Sequence, residues 1–494
     1  MTQRISTGIE GLDEVMGSGL ISNRSYMVRG VPGTGKTLLC MEFLTANPDS
    51  SSLFVNLSQS EESLREDAES FGFDLSNVEI LDLSPSRDEF GDEQYSIFSP
   101  GEVETDEYTQ KIIDELDERS PDRVVIDPLT QFRYLSQDTY QFNKLVLSFF
   151  GYLKGIDSTV LFTSQKTEQR PDDDLQYLSD AIISLDYSDE GRTVEVTKYR
   201  GSDFRSGRHS MKIDDEGMTV FPRLDLGFET RDSLTGEKVS SGVPEVDTLL
   251  GGGIERGTVT IISGPSGVGK TTSGAQFMKE AAGRGEKAVI YMFEERKASF
   301  LHRAESINMP LREMVENGSL ELKEVEAMET TPDEFANQVR TDVEEGAEFV
   351  MIDGVTGYKR MMTRSNKSTD LIDEMHKLGR FLSNRDVTTF LISEIKDVTG
   401  DFSATAEHVS YIADNIIFLR YLEMSGEMRK AIGVLKKRAG SFERMLREFM
   451  ITEYGVKVGE PLTGLRGILT GTPEFVSQED LNLLTNPDGG DGGR

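Results

Sequence analysis

Two short runs of this 494-residue chain have the residue types and the spacing to hold a nucleoside triphosphate. Gly30-Val31-Pro32-Gly33-Thr34-Gly35-Lys36-Thr37 and Gly264-Pro265-Ser266-Gly267-Val268-Gly269-Lys270-Thr271 both satisfy G-x-x-x-x-G-K-[ST]. The glycines let the main chain curl until successive N–H groups point at phosphate oxygens, and the following helix N-terminus adds its partial positive charge. Lys36 and Lys270 are expected to reach the β- and γ-phosphates, and Thr37 and Thr271 to offer a hydroxyl to magnesium. Leu38 and Thr272 continue each run into its helix. ATP and Mg2+ are the expected ligands.

Carboxylates extend this chemistry. Asp127 and Asp353 each end an apolar β-type run (RVVID and FVMID), where an acid can hold a magnesium-bound water. In AVIYMFEERKASFL, Glu294 and Glu295 follow a strand-like run directly. An acid there can orient and deprotonate a water or a hydroxyl for in-line attack on the γ-phosphate, and Glu294 is also assigned to the magnesium side. The first half departs from this pattern. Its matching run, SLFVNLSQSEESL, puts Ser58 and Gln59 at the two positions, and neither is a base. Glu61 and Glu62 are expected to begin the next helix, where acids suit the N-terminal dipole. The first half is therefore expected to bind ATP and turn it over slowly.

Such groups work only on a scaffold that brings them together, and the chain repeats its scaffold. The two loops lie 264 − 30 = 234 residues apart. STGIEGLDEVMGSGL precedes the first and SSGVPEVDTLLGGGI the second; RVVIDPLT is echoed by FVMIDGVT, and STVLFTSQ by VTTFLISE. Matched landmarks in one order indicate a duplicated domain. Apolar β-rich runs alternate with helical stretches such as EYTQKIIDELDE, which predicts in each half an α/β fold with a mostly parallel sheet covered on both faces. The expected domains are residues 1–235 and 236–475, joined through the polar stretch DLGFETRDSLTGEK. A flexible, glycine-rich and acidic tail is expected over 476–494.

Charge limits the partners. Acidic residues number 87 against 53 basic, a net −34, and they are spread along the whole chain. A dispersed acidic surface fits a halophilic source, because the Debye length shrinks to about 3 Å at 1 M salt. It also argues against nucleic acid, which needs a basic groove. The run after Asp353, TGYKRMMTRSNK, is the one locally basic cluster. No membrane association is expected, since no apolar run is long enough to span a bilayer. The opening MTQRISTGIEGLDEVMG lacks a signal-peptide profile, and with the single Cys40 it suggests the cytoplasm.

These landmarks resemble the KaiC family of RecA-like ATPases. The likeness is densest over EHVSYIADNIIFLRYLEMSGEMRKAIGVLKKRAGSFERMLREFMITEYG, and SFGFDL and TKYRGSDF match signatures of the first domain. The resemblance implies two tandem RecA-like P-loop domains and a homo-oligomer, a hexameric double ring with ATP at subunit interfaces. It also implies that a K-x-R element reaches the neighbouring subunit's nucleotide. Here that element reads Lys198-Tyr199-Arg200 and Lys436-Lys437-Arg438, the latter followed by Ala439 where the family usually has glycine. Clock-type members phosphorylate an adjacent Ser–Thr pair; the aligned residues are Ser410 and Tyr411, so Ser410 is the candidate acceptor and an ordered two-site cycle is not expected. The aromatic residue near adenine is kept as Phe71 in the first domain and replaced by Ile307 in the second. The leading expectation is an oligomeric regulatory ATPase, active mainly in its second domain through Glu294, Glu295, Lys270, Lys436 and Arg438, that signals to a protein partner the sequence does not identify. The alternatives are a DNA-dependent recombinase or helicase motor and a non-catalytic scaffold assembled by ATP.

Overall fold

In the computed structural model the described residues are 3–84, 100–135, 139–165, 172–189, 191–225, 236–364, 371–395, 411–424 and 426–463, with two-residue strands at Leu465–Arg466 and Glu474–Phe475. The chain divides into two compact units, Met1–Arg223 and Leu224–Arg494.

Each unit is built on a nine-stranded sheet, and the two sheets have the same strand order. From edge to edge the first runs Val78–Asp82, Ser52–Asn56, Arg123–Asp127, Thr159–Gln165, Ser25–Gly30, Ala181–Ser188, Gly191–Tyr199, Arg208–Asp214 and Gly217–Phe221. The second runs Leu320–Glu324, Ala288–Met292, Phe349–Asp353, Thr388–Glu394, Val259–Gly264, Asn415–Met424, Glu427–Lys437, Arg447–Thr452 and Gly455–Pro461. The first six strands of each order are parallel, and the last three add on antiparallel. The two domains are thus tandem α/β units with mostly parallel central sheets.

The inner strands form because their residues are apolar on both faces. Every residue of Ser52–Asn56, Arg123–Asp127, Val259–Gly264 and Ala288–Met292 is buried, as a parallel sheet with helices on both sides requires. Two large apolar clusters fill each domain, one against each sheet face, and a small third one around Leu422 and Ala431 lies in the second. Helix starts follow local chemistry. Ser60 accepts a hydrogen bond from the Ser63 N–H, so Glu61 and Glu62 open the helix Glu61–Ser70. Thr331 and Glu334 form a reciprocal capping box on Pro332–Glu344.

The duplication extends to single hydrogen bonds. Ahead of each phosphate loop lies a small hairpin, Arg4–Ile5 with Leu20–Ile21 and Lys238–Val239 with Ile254–Glu255. An aspartate pins each one: Asp13 accepts from the Thr7 N–H at 2.8 Å and the Ser6 hydroxyl at 2.5 Å, and Asp247 accepts from the Ser241 N–H at 2.8 Å and the Ser240 hydroxyl at 2.5 Å. What anchors the hairpin to the sheet differs. In the first domain the Tyr199 hydroxyl donates to the Gly19 carbonyl and accepts from the Ile21 N–H, both at 2.9 Å. In the second, Lys437 donates to the Leu250 and Gly253 carbonyls at 2.6 and 2.9 Å and pairs with Glu255 at 3.1 Å.

This ion pair generates a stability prediction. Lys437 and Glu255 are both buried, so Lys437→Ala leaves an uncompensated charge and should cost about 3 kcal/mol or more. The neighbouring Arg438 is 55 % exposed in its ion pair with Asp414, and Arg438→Ala should change stability by under about 1 kcal/mol. Calorimetric unfolding of the two variants checks the contrast.

Candidate nucleotide site

Strand register gathers the site. In the second domain Gly264 lies opposite Glu394, and Met292 opposite Asp353, so the loop, Asp353, Glu394 and the Glu294–Glu295 pair all leave the sheet at its C-terminal edge. Ligands bind at that edge in open α/β sheets. The residues surround a cavity of about 360 Å3, lined among others by Lys270, Thr271, Glu294, Arg303, Ile307 and Asp353.

The loops have the geometry their sequence requires. Gly35 (φ 96°) and Gly269 (φ 114°) occupy the left-handed region at the N-caps of Lys36–Thr45 and Lys270–Gly283, a conformation glycine adopts without steric cost. A Cβ on Gly269 would also meet Ile451 Cδ1 at 2.7 Å and Phe449 Cε1 at 2.9 Å. Lys270 Nζ donates to the Pro265 carbonyl at 2.8 Å and lies 3.9 Å from Glu394. Burial holds its ammonium pKa below the ordinary value, and the charges of Glu394, Asp353 and Glu294 oppose that shift. Lys36 donates to the Gly30 and Val31 carbonyls, both at 3.0 Å, and burial lowers its pKa too.

Thr271 donates its hydroxyl to Asp353 at 3.0 Å, and Thr37 to Asp127 at 2.6 Å. Asp127 also accepts from Thr163. The Asp353 carboxyl is pushed up to about 6, chiefly by burial and further by the charges of Glu295 and Glu294, with the Thr271 hydrogen bond opposing. This crowding of acid groups is what a divalent cation would relieve. Among the described residues no cluster of three or more His, Cys, Asp or Glu could hold a metal alone. One hydroxyl and one carboxylate beside a phosphate site suit magnesium, which keeps several waters and takes ligands from phosphates.

The two acids after the strand differ in setting. Glu295 is held by Arg303, at 2.6 Å from Nη2 and 3.3 Å from Nε. Glu294 lines the cavity and makes no hydrogen bond or ion pair among the described residues. In the first domain Ser58 and Gln59 stand here, and their N–H groups turn back toward Asn56 Oδ1.

The K-x-R elements lie at the other end of the sheet. Arg438 N–H bonds the Asp414 carbonyl, and Asp414 N–H bonds the carbonyl of Val259, the first residue of the strand that ends at Gly264. Five residues of strand span about 16 Å, beyond the reach of an arginine side chain to its own loop. Arg200, Asp180 and Ser25 repeat the arrangement. A bulge opposite Ile182/Ile183 in one domain and Ile416/Ile417 in the other locally re-aims each strand. The middle residues, Tyr199 and Lys437, turn inward to anchor the hairpins and are not presented to a nucleotide with their neighbours. Lys198 is capped by the Gln176, Tyr177 and Ser179 carbonyls. Arg438 donates to the Tyr411 carbonyl at 2.8 Å, and Arg200 to the Tyr177 carbonyl at 2.9 Å. Ser410 lies outside the described residues.

Four features escaped the sequence reading. Arg303 gave no signal beyond being basic on a helix. Glu394 ends the quoted repeat VTTFLISE, yet only the register shows that it faces Lys270. Ile451 joins Ile307 as an apolar wall of the cavity. A cation–aromatic pair braces each loop: Arg192, over Tyr187, donates to the Gly33 carbonyl at 3.2 Å, and Lys430, over Tyr421, donates to the Gly267 carbonyl at 3.2 Å. In the helix Val355–Arg364, Val355, Tyr358, Met361 and Met362 are buried and Lys359 and Arg360 exposed.

The profile of the family described as "ATPase: KaiC" matches residues 5–225 and again 239–463. The chain belongs to the KaiC ATPase family. It is a tandem, ATP-binding P-loop ATPase with two RecA-like domains. It is 28 % identical over 497 residues to the circadian clock oscillator protein KaiC of Prochlorococcus marinus, covering 97 % of this chain and 96 % of that protein. It is 27 % identical to the circadian clock protein KaiC3 of Synechocystis, covering 98 % and 97 %, and to the KaiC of Acaryochloris marina, covering 98 % and 93 %. Among the described residues of this KaiC-family chain, no helix is long and apolar enough to cross a membrane.

The second loop predicts its own sensitivity. Gly269→Ala adds a Cβ against Ile451 and Phe449 at a backbone angle that costs an L-residue about 1–2 kcal/mol. Calorimetric titration should show nucleotide affinity at the second site reduced at least about tenfold, with the first site unaffected.

Proposed function

We propose that this KaiC-family protein is an oligomeric regulatory ATPase whose second domain performs most of the hydrolysis, while the first binds ATP and turns it over slowly. The observation that carries this reading is the contrast between Glu294, a carboxylate on the cavity wall with no ion pair or hydrogen bond among the described residues, and Ser58 at the matching position. Glu294 would orient the attacking water and take its proton. The Lys270 ammonium and the N–H groups of the loop would hold the phosphates and stabilise charge leaving with the β-phosphate. Thr271 and Asp353 would hold magnesium in the second domain, with Glu294 near it, and Thr37 and Asp127 in the first; the ion would neutralise phosphate charge.

The distance from each K-x-R element to its own loop supports action in trans. Lys198 with Arg200, and Lys436 with Arg438, would serve the nucleotide of a neighbouring copy, as the family resemblance implies for a hexameric ring. Tyr199 and Lys437 would support these elements without contacting ATP. Serine autophosphorylation is proposed as a side activity of the same site: Ser410 precedes Tyr411, whose carbonyl accepts from Arg438. Oligomeric state and nucleotide occupancy would be the signal to a protein partner in the cytoplasm. The net charge of −34 favours this reading over a DNA-dependent motor, which needs a basic nucleic-acid groove.

Steady-state assays test the division of labour. Lys270→Ala should remove most ATP turnover and Lys36→Ala should leave most of it; the reverse order would sink the proposal. Glu294→Gln should lower kcat by about 10^2-fold or more while ATP still binds. Mixing Arg438→Ala chains with Lys270→Ala chains should restore part of the activity that each lacks alone, the signature of sites shared between copies. Intact mass after incubation with Mg-ATP should show phosphate added to wild type and none to Ser410→Ala.

A further inference from the structure

The second domain crowds Glu294, Glu295, Asp353 and Glu394 around one phosphate loop. A bound triphosphate adds further negative charge, so the placement of each cation matters. Arg303, on the helix Lys297–Ser306, engages all three of its nitrogens there. Nη2 and Nε grip the Glu295 carboxylate at 2.6 and 3.3 Å, and Nη1 donates to Thr272 Oγ1 at 3.0 Å. Thr272 directly follows Thr271 on the loop's helix. One guanidinium therefore ties the acid that follows the strand Ala288–Met292 to the helix that begins at the phosphate loop. A two-pronged pairing fixes the plane of a carboxylate as well as its position.

The first domain supplies an internal comparison. Its helix Glu61–Ser70 has the same length of ten residues, and the position of Arg303 is taken by Asp67. Gln59, in the place of Glu295, donates Nε2 to Asp67 at 3.4 Å. The contact is kept while the charge on the helix is reversed and the charge on its partner removed. Packing needs no such exchange; a site that must hold an acid still beside a triphosphate does.

We propose that Arg303 is the positioning residue that decides which of two adjacent glutamates acts. It neutralises and immobilises Glu295 as a fixed support and leaves Glu294 to face the reacting water or hydroxyl. The assignment rests on the second domain being the hydrolytic one.

The test uses the full-length chain carrying Lys36→Ala, which silences the first loop. Arg303→Ala should lower kcat about fivefold or more and raise KM for MgATP, and Arg303→Lys should recover part of both. Glu295→Gln alone should cost under about threefold in kcat, far less than Glu294→Gln. Adding Glu295→Gln to Arg303→Ala should restore activity, because it removes the charge left unpaired; such coupling is what a double-mutant cycle isolates. Independent, multiplying losses would overturn the proposal, as would a Glu295→Gln defect equal to that of Glu294→Gln. If the Lys36→Ala background shows no turnover, the hydrolytic assignment itself fails. Titration with a fluorescent ATP analogue and Mg2+ then decides the clamp separately: weakened binding in Arg303→Ala that Glu295→Gln restores supports it, and no restoration overturns it.

Discussion

Register in a parallel sheet is the constraint on which the site depends. A strand displaced by one residue turns every side chain to the opposite face. The pairing of Gly264 with Glu394 and of Met292 with Asp353 therefore fixes which acids surround the phosphate loop. Those strands are buried on both faces by continuous apolar runs, and slippage would carry the acids at their ends, Glu294 and Asp353, out of place beside the loop. The core and the chemistry are specified by the same residues.

On that shared frame the two domains diverge through a handful of side chains. Asp127 is matched with two hydroxyl donors, Thr37 and Thr163, and Ser58 and Gln59 take the positions of the acid pair after the neighbouring strand. Asp353 stands among Glu294, Glu295 and Glu394, and its carboxyl sits near 6 because burial and like charge both disfavour ionisation. Duplication thus kept the cradle and its backbone while varying the electrostatics around it. The two sites differ here by substitutions such as Ser58 for Glu294 and Gln59 for Glu295.

Much of this was legible in the sequence because its signals are local. Glycine spacing specified the loops, apolar runs ending in aspartate specified the strands beneath them, and Glu61 with Glu62 marked a helix start. What stayed hidden depends on pairing across the fold. Arg303 meets its partner only because a helix turns back over the strand end, and an arginine in so acidic a chain looks like ordinary solvated charge. The K-x-R elements looked uniform as tripeptides; the bulge in each strand, invisible to composition, sends Tyr199 and Lys437 inward and leaves their neighbours at the sheet's far edge.

The hairpin anchors have a consequence for how the two halves have drifted since duplication. A phenol serves one hairpin through a single hydroxyl, while an ammonium–carboxylate pair serves the other, with Ile21 standing where the second half has Glu255. Swapping the late strand of one half for that of the other would strand Glu255 opposite a phenol, or set an ammonium against Ile21. The two copies have become mutually incompatible as spare parts, although their sheets are superposable in strand order. Any exchange of late strands between them would have to carry the hairpin partner, Ile21 or Glu255, with it.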